Sequence, residues 1–394
     1  MNILMVTTSY PLTPKSSSGI FVKRLKVALD DLSNVRVVCP DDSESKPVES
    51  GVYRSRYFFK KWQLLAHQPG GIPSAIRRDP RFLFLVPLLL LSMVVSISRQ
   101  IYSSDLILAN WAINAIIASG PSLLFRKPMI TVFRGEDVRN LDGGLQTIIV
   151  WVALRVSDAV VLVSKDMKAP LVKHFPRFES KLRVIPNGVE SVYLDANIAA
   201  ENNSENELKV LTVASLIPRK NIITLIKAFA YLKKTLRTSV KIKLDIVGDG
   251  ELRSELADLT SREGLGSDVR FHGMLAPNKL VKMFSTTQLF VLPSLYEGRP
   301  NVVVEAMAAG CCVLVSDIGG CTELVSNGVN GLVFPAMDEK ILGEKIEEVA
   351  SDSSLRSCLG KSARQYVIDH KLTWEGCADQ YYHLFGEFRN EGRR

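Results

Sequence analysis

Short apolar runs alternate with amphipathic stretches almost from one end of the chain to the other. The runs are rich in Val, Ile and Leu and are bounded by polar or glycine residues, which predicts strands buried on both faces. In the first half they are ILMVTT from Ile3, VRVV from Val35, DLILA from Asp105, MITVF from Met129, AVVLV from Ala159 and LRVIP from Leu182. The second half repeats the pattern with LKVLTVA, KIKLDIVG, VRFHG, QLFVLP, CVLVSD and GLVF. Between them the period changes to that of a helix, as from Gly19 to Leu32, where Leu25, Leu29 and Leu32 share a face. This rhythm predicts an α/β protein built from βαβ units in two parallel sheets. Residues 194–209, LDANIAAENNSENELK, are polar and carry no strand pattern, so they predict an exposed linker between a domain over 1–193 and another over 207–371. Open parallel sheets bind ligands at the carboxyl ends of their strands, and a cleft between two facing sheets is where chemistry is expected.

One run departs from the pattern. Phe82 to Ser98 holds 17 residues without a charge, at the short end of what spans a bilayer. Pro87 interrupts it, and Arg77, Arg78, Arg81 and Arg99 flank both ends without a charge asymmetry, so a helix packed on a sheet, with one face available to lipid, is the preferred reading. The whole chain carries a net charge of +8, and residues 51–100 hold much of that excess: Arg54, Arg56, Lys60, Lys61, Arg77, Arg78, Arg81 and Arg99 against the single acid Asp79. Tyr53, Tyr57, Phe58, Phe59 and Trp62 are interleaved with the first of these cations. That mixture suits an anionic membrane surface. A solvated basic loop has the same composition, and nucleic acid uses the same residue types; an anionic membrane surface, and no nucleic acid, is the expected partner.

At 394 residues, 46% of them hydrophobic and 23% charged, the chain is long enough for about two folded domains and too apolar for wholesale disorder. The six cysteines, Cys39, Cys311, Cys312, Cys321, Cys358 and Cys377, form no C-x-x-C pair and fit a reducing compartment. MNILMVTTSYP has no basic segment before its short apolar run and reads as a first strand, so a cytoplasmic protein, peripheral on the inner face of the membrane, is expected. His67, His174, His272, His370 and His383 lack ligand-like spacing, and no metal site is predicted.

The densest candidate chemistry is PSLYEGRPNVVVEAMAAG. Gly298 and Pro300 prevent a helix from running through Glu297, and Asn301 is placed to cap a new helix that carries Glu305 one turn in. Backbone N–H groups at such a helix start suit phosphate or sugar oxygens, and two carboxylates suit hydroxyl donors. Taken alone, this spacing equally describes a capped surface helix.

The order of motifs along the chain resembles the family 4 retaining glycosyltransferases of GT-B fold. The resemblance is carried by the Gly19 turn, DLILANWA, FRGEDV, SDAVVLVSKDM, VIPNGVE, ASLIPRKN, DIVGDGELR, FHG, and the stretch from LPSLYEGRPNVVVEAMAAG to DIGGCTELVSNGVNGLVF. It covers nearly the whole chain apart from about residues 41–100 and the linker. It implies two Rossmann-like domains facing across a cleft, with a C-terminal helix over 372–394 crossing back to the first. The second domain would bind a UDP- or GDP-linked sugar as co-substrate, without a cofactor, and the first would present a saccharide or polyprenyl-linked oligosaccharide acceptor. Glu305 would bind the ribose hydroxyls and Glu297 would lie near the donor sugar. Gly298, Arg299 and Asn301 would hold sugar and diphosphate, and Lys220 would stabilise the leaving nucleoside diphosphate. Gly19 would let backbone approach the diphosphate.

Two positions depart from the family pattern. Ser215 stands where an arginine often follows the strand, leaving Arg219 beside Lys220 as the substitute cation. Arg134 stands in FRGEDV where many members have histidine; it stays protonated and cannot be a general base. It is expected to bind a sugar hydroxyl or a phosphate, with Asp137 orienting the acceptor, or else the two form a mutual ion pair. The retaining reaction the resemblance implies takes its base from the leaving phosphate. Gly248 to Gly250 lack the third glycine of a dinucleotide fingerprint, and no Asp-x-Asp pair occurs, so neither NAD nor a metal-bridged nucleotide sugar is expected. The alternatives are a phosphorylase or epimerase of the same plan, and an inactive sugar-nucleotide-binding or scaffold protein.

Overall fold

A computed structural model describes residues 1–12, 18–44, 49–66, 71–139, 141–195 and 206–389. Most of the expected linker, His67 and the chain end after 389 lie outside the described residues. The chain divides into two compact units, Met1–Asn187 with Trp374–Arg394, and Gly188–Thr373.

The first unit is a seven-stranded, all-parallel sheet. Its strands are β1 (Asn2–Val6), β2 (Asn34–Pro40), β3 (Val52–Ser55), β4 (Leu106–Asn110), β5 (Met129–Phe133), β6 (Ala159–Leu162) and β7 (Leu182–Val184), in the order β3-β2-β1-β4-β5-β6-β7. β4, β5 and β6 are buried at every position, which is why their sequences are continuous apolar runs without alternation. The last helix, Trp374–Arg389, belongs to this unit, where Trp374, Cys377, Ala378, Tyr381, Leu384 and Phe385 join its core. β3 is a strand that the apolar pattern missed, because VYRS alternates a basic residue into a short edge strand.

The second unit is a six-stranded parallel sheet of β8 (Glu207–Val213), β9 (Lys241–Val247), β10 (Val269–Gly273), β11 (Leu289–Leu292), β12 (Cys312–Ser316) and β13 (Leu332–Phe334), ordered β10-β9-β8-β11-β12-β13. In each sheet the strand order reverses direction once, between β1 and β4 and between β8 and β11. Neighbouring connections leave such a point on opposite faces of the sheet, so a crevice opens at the strands' carboxyl ends.

The apolar run of the first unit becomes a 3-10 turn over Pro80–Phe84 followed by a helix, Leu85–Ile101. Pro87 is tolerated because it lies in the first turn, where its missing N–H has no partner to lose. Leu85, Leu89, Met93, Ile97 and Ile101 recur every four residues and form the stripe packed into the core.

Two glycines show opposite constraints. Gly248 has φ +135°, and a Cβ there would stand 1.8 Å from the Ala214 carbonyl oxygen. Gly386, inside the helix Trp374–Arg389, has open space where a Cβ would go. Gly248→Ala is therefore expected to cost roughly 2–4 kcal/mol, whereas Gly386→Ala is expected to add about 0.5–1 kcal/mol through helix propensity. Chemical denaturation of both variants checks the opposite signs.

Candidate functional site

The reversal point of the second unit carries a shielded ion pair. After β8 the chain passes Ser215, which is exposed, and makes a 3-10 turn over Pro218–Lys220 before the helix Ile222–Thr235 begins. Lys220 is thus in a turn ahead of the helix, not a solvated residue of its first turn. Its ammonium reaches across the reversal point and pairs with Glu297, in the loop after β11. Both side chains are shielded, at 14% and 8% exposure. Ser294 Oγ donates to the same carboxylate oxygen at 2.7 Å, and Ser316 Oγ at the end of β12 donates to the Ser294 carbonyl at 2.5 Å. The Leu295 N–H donates to the Arg219 carbonyl at 2.9 Å, so the two loops are also joined through backbone. A buried pair of this kind persists only when its remaining lone pairs are satisfied, and Ser294 supplies one such bond.

Close backbone approach defines the rest of this crevice. A Cβ on Gly320 would stand 2.3 Å from the Glu297 carbonyl oxygen and 3.0 Å from that of Gly298. A Cβ on Gly250 would stand 2.5 Å from the Leu216 carbonyl. The helix Asn301–Ala308 starts directly at Asn301, with Pro300 in the cap position, so Asn301 does not cap it. Its Oδ1 is instead closed off from solvent without a hydrogen-bond partner. Glu305 lies one turn into this helix, half-buried, and Arg299 is half-buried at its approach. His272, at the end of β10, pairs with Asp245 of β9 at 2.5 Å.

The reversal point of the first unit gathers a second set. Gly19, at φ +70°, turns the chain into the helix Ile20–Asp30, and a Cβ there would stand 2.4 Å from the Ser9 carbonyl. The requirement for glycine is met within the chain itself, by the loop after β1. Arg134 leaves the end of β5 with its guanidinium 5.4 Å from the Trp111 ring and 5.9 Å from that of Phe21. It donates to Asn187 Oδ1 and Asn110 Oδ1, each at 3.3 Å. Trp111 follows β4 at φ 67°, ψ 149°, a costly conformation for a bulky residue. Asp137 is not ion-paired with the Arg134 side chain. Its two oxygens accept from the backbone N–H groups of Arg134 at 2.8 Å and Ala112 at 3.1 Å, which ties the β5 turn to the β4 turn. It positions those loops.

Burial raises the Asp137 pKa to about 6, against the pull of those two N–H groups, and burial lowers that of Arg134. Among the described residues no group of three or more His, Cys, Asp or Glu is placed to hold a metal ion. Ser294, Asn110, Trp111, Phe21 and Asn187 were not singled out from sequence. Four of them stand in motifs that carried the resemblance, DLILANWA, VIPNGVE and LPSLYEGRPNVVVEAMAAG, but only spatial convergence, on Arg134 or, for Ser294, on Glu297, gives them a role.

Two family models match the chain and together span nearly all of it: Glycosyltransferase Family 4 over residues 18–192 and Glycosyl transferases group 1 over residues 195–366. An uncharacterised glycosyltransferase of Methanocaldococcus jannaschii is 31% identical over 57% of this chain and 59% of its own length. A Campylobacter jejuni protein, the GalNAc-alpha-(1->4)-GalNAc-alpha-(1->3)-diNAcBac-PP-undecaprenol alpha-1,4-N-acetyl-D-galactosaminyltransferase, is 28% identical over 55% of this chain and 58% of its own length. The match thus spans somewhat over half the length of these curated relatives. Among solved structures, Anabaena HepE in complex with UDP and glucose superposes with a TM-score of 0.70 at 20% identity, covering 98% of this chain and 100% of that one.

The environment of Asp137 sets a pH dependence. Its folded pKa of about 6 lies above the unfolded value of 3.8, so the folded state binds the proton more tightly. Stability contributed at this site is full below about pH 4 and is lost as pH rises through about 6, by on the order of 3 kcal/mol. The difference in unfolding free energy between the native protein and Asp137→Asn is expected to fall between pH 4 and 7; a flat difference would show that Asp137 titrates normally.

Proposed function

Because the chain belongs to the family 4 glycosyltransferases and has their GT-B fold, we propose that it transfers a sugar, with retention of configuration, from a UDP- or GDP-linked donor to a lipid-linked saccharide. The observation that carries this reading is the Lys220–Glu297 pair at the reversal point of the second unit. In the resting protein the two charges neutralise each other. An arriving diphosphate replaces the carboxylate as the partner of Lys220, and Glu297, still held by Ser294, turns its acceptor oxygens to hydroxyls of the donor sugar. Asn301 Oδ1 offers a further acceptor at the helix start, and Glu305 takes the ribose hydroxyls. As the bond between the anomeric carbon and the diphosphate breaks, Lys220 stabilises the charge that develops on the leaving oxygen. The acceptor hydroxyl attacks from the same face, and its proton passes to that oxygen. No metal ion or cofactor enters this scheme.

The lipid-linked acceptor is supported by the name of the Campylobacter relative and by a surface of the first unit. Leu83 and Leu91 are more than 60% exposed on the 80–101 segment, as is Phe59 nearby. Phe58 makes edge contacts with Phe59 and Phe84, and the Ser92 hydroxyl donates to the Arg56 carbonyl. These contacts join the basic aromatic segment and the apolar helix into one surface. The segment Pro80–Ile101 is long and apolar enough to cross a membrane by length and composition, and one stripe of its helix packs into the core of the first unit. In this reading the protein lies on an anionic bilayer on the cytoplasmic side, with Lys60, Lys61 and Trp62 at the headgroups, and serves cell-surface polysaccharide synthesis.

Two measurements test the reading. UDP or GDP at about a hundred times its dissociation constant is expected to stabilise the protein by about 2.7 kcal/mol, and Glu305→Ala should abolish the shift; no shift with any nucleoside diphosphate would overturn the donor assignment. In sedimentation with phosphatidylglycerol vesicles, Leu91→Ser combined with Lys60→Glu and Lys61→Glu should weaken binding at least tenfold. Binding equal to that on phosphatidylcholine would remove the anionic surface from the account.

A further inference from the structure

Among the described residues, Arg134 is a cation without an anion in contact. Its guanidinium is walled by the Trp111 and Phe21 rings, and among the described residues it donates to two neutral amide oxygens at the long end of the hydrogen-bond range. Its Nε is closed off from solvent with no partner. The nearest carboxylate, Asp137, spends its oxygens on backbone N–H groups. Were the two side chains directly paired, Asp137 would be held ionised; burial instead pushes it up to about 6.

The surrounding polar groups are unsatisfied as well. Asn110 Nδ2, Asn114 Oδ1 and Ser164 Oγ are each closed off from solvent without a hydrogen-bond partner. Asn110 ends β4, Asn114 lies in the first turn of the helix that follows it, and Ser164 lies two residues past β6; β4 and β6 are the two neighbours of β5. Native proteins leave few buried polar atoms unpaired, and such groups gathered at one end of a sheet mark a site organised for a ligand. The strained Trp111 backbone, which sets its ring against the guanidinium, belongs to the same site.

We propose that this site binds an oxyanion of the acceptor, a phosphate or a carboxylate, with Arg134 as its counter-charge and the Asn110 amide as a second donor. The proposal deepens the glycosyltransferase reading and rests on it for the identity of the ligand as acceptor; the class of the ligand rests on the site alone. A planar guanidinium engages either oxyanion through paired N–H donors, which a histidine at this position does not offer.

The test is calorimetric titration of the full chain, saturated with whichever nucleoside diphosphate it binds, so that the Lys220 crevice is already filled. The probes are inorganic pyrophosphate, methyl glucuronide and, as the neutral control, methyl glucoside. One of the two anions is expected to bind at least tenfold more tightly than the glucoside, and which one does so separates a phosphate-bearing from a carboxylate-bearing acceptor. Arg134→Met should lose that preference, Arg134→Lys should keep part of it, and nucleotide affinity should stay unchanged in both. Arg134→Met should also melt no lower than the native protein, because it removes an uncompensated cation and retains an apolar stem between the rings. No preference for either anion, an anion preference that survives Arg134→Met, or a large drop in melting temperature would overturn the proposal in favour of a structural arginine. Failure of every nucleoside diphosphate to bind would instead count against the donor reading, and the anion titration is then read on the free protein.

Discussion

The constraint on which the rest depends is the direction of the strands. Every strand pair described within each sheet is parallel, so all carboxyl ends of a sheet lie along one edge, and the loops leaving that edge carry whatever the unit does. The single reversal of order then selects which loops can meet a ligand. Between β8 and β11 these are the loops of Lys220 and Glu297; between β1 and β4 they are the Gly19 turn and the Trp111 turn, with Arg134 on the next strand. Residues 77 positions apart in sequence, as Lys220 and Glu297 are, meet because topology brings their loops together.

The two sites manage charge in different ways. In the second unit a cation and an anion are shielded together and neutralise each other, with Ser294 supplying one of the hydrogen bonds the pair needs; the proposed function has a diphosphate displace the carboxylate. In the first unit a cation is kept among rings and amides, with its nearest carboxylate spent on backbone. That arrangement is unfavourable to the empty protein and favourable to an anionic ligand. Glycines set the geometry in both: at 320 and 250 a side chain would collide with the backbone of a neighbouring loop, and at 19 with the loop after β1.

Much of this was legible in the sequence, for identifiable reasons. Twelve of the strands were readable: those covered on both faces, β4, β5, β6, β11 and β12, as uninterrupted apolar runs, and others such as β9 by the alternation of apolar and polar positions. β3 escaped because an edge strand with one side open tolerates Tyr53 and Arg54. The paired glutamates and Lys220 were legible as a motif, but their contact was not, since it depends on the 3-10 turn that lifts Lys220 ahead of its helix. Asn301 looked like a cap because Asn before an apolar helix commonly is one, yet Pro300, with φ fixed by its ring, takes that position. Of the two readings of Arg134 with Asp137, the mutual ion pair does not form, because a buried turn spends its carboxylate on backbone N–H groups first.

The central claim is that Lys220 and Glu297 exchange partners when the donor arrives. Titrating UDP and GDP into Lys220→Met and Glu297→Gln tests it most directly. The account predicts that Lys220→Met weakens nucleoside diphosphate binding at least tenfold, about 1.4 kcal/mol, while Glu297→Gln, which frees the lysine, binds the bare diphosphate as tightly as the native protein or more so. Equal losses in both variants would contradict it, because the pair would then be a structural strut of the loop and not a poised partner for phosphate.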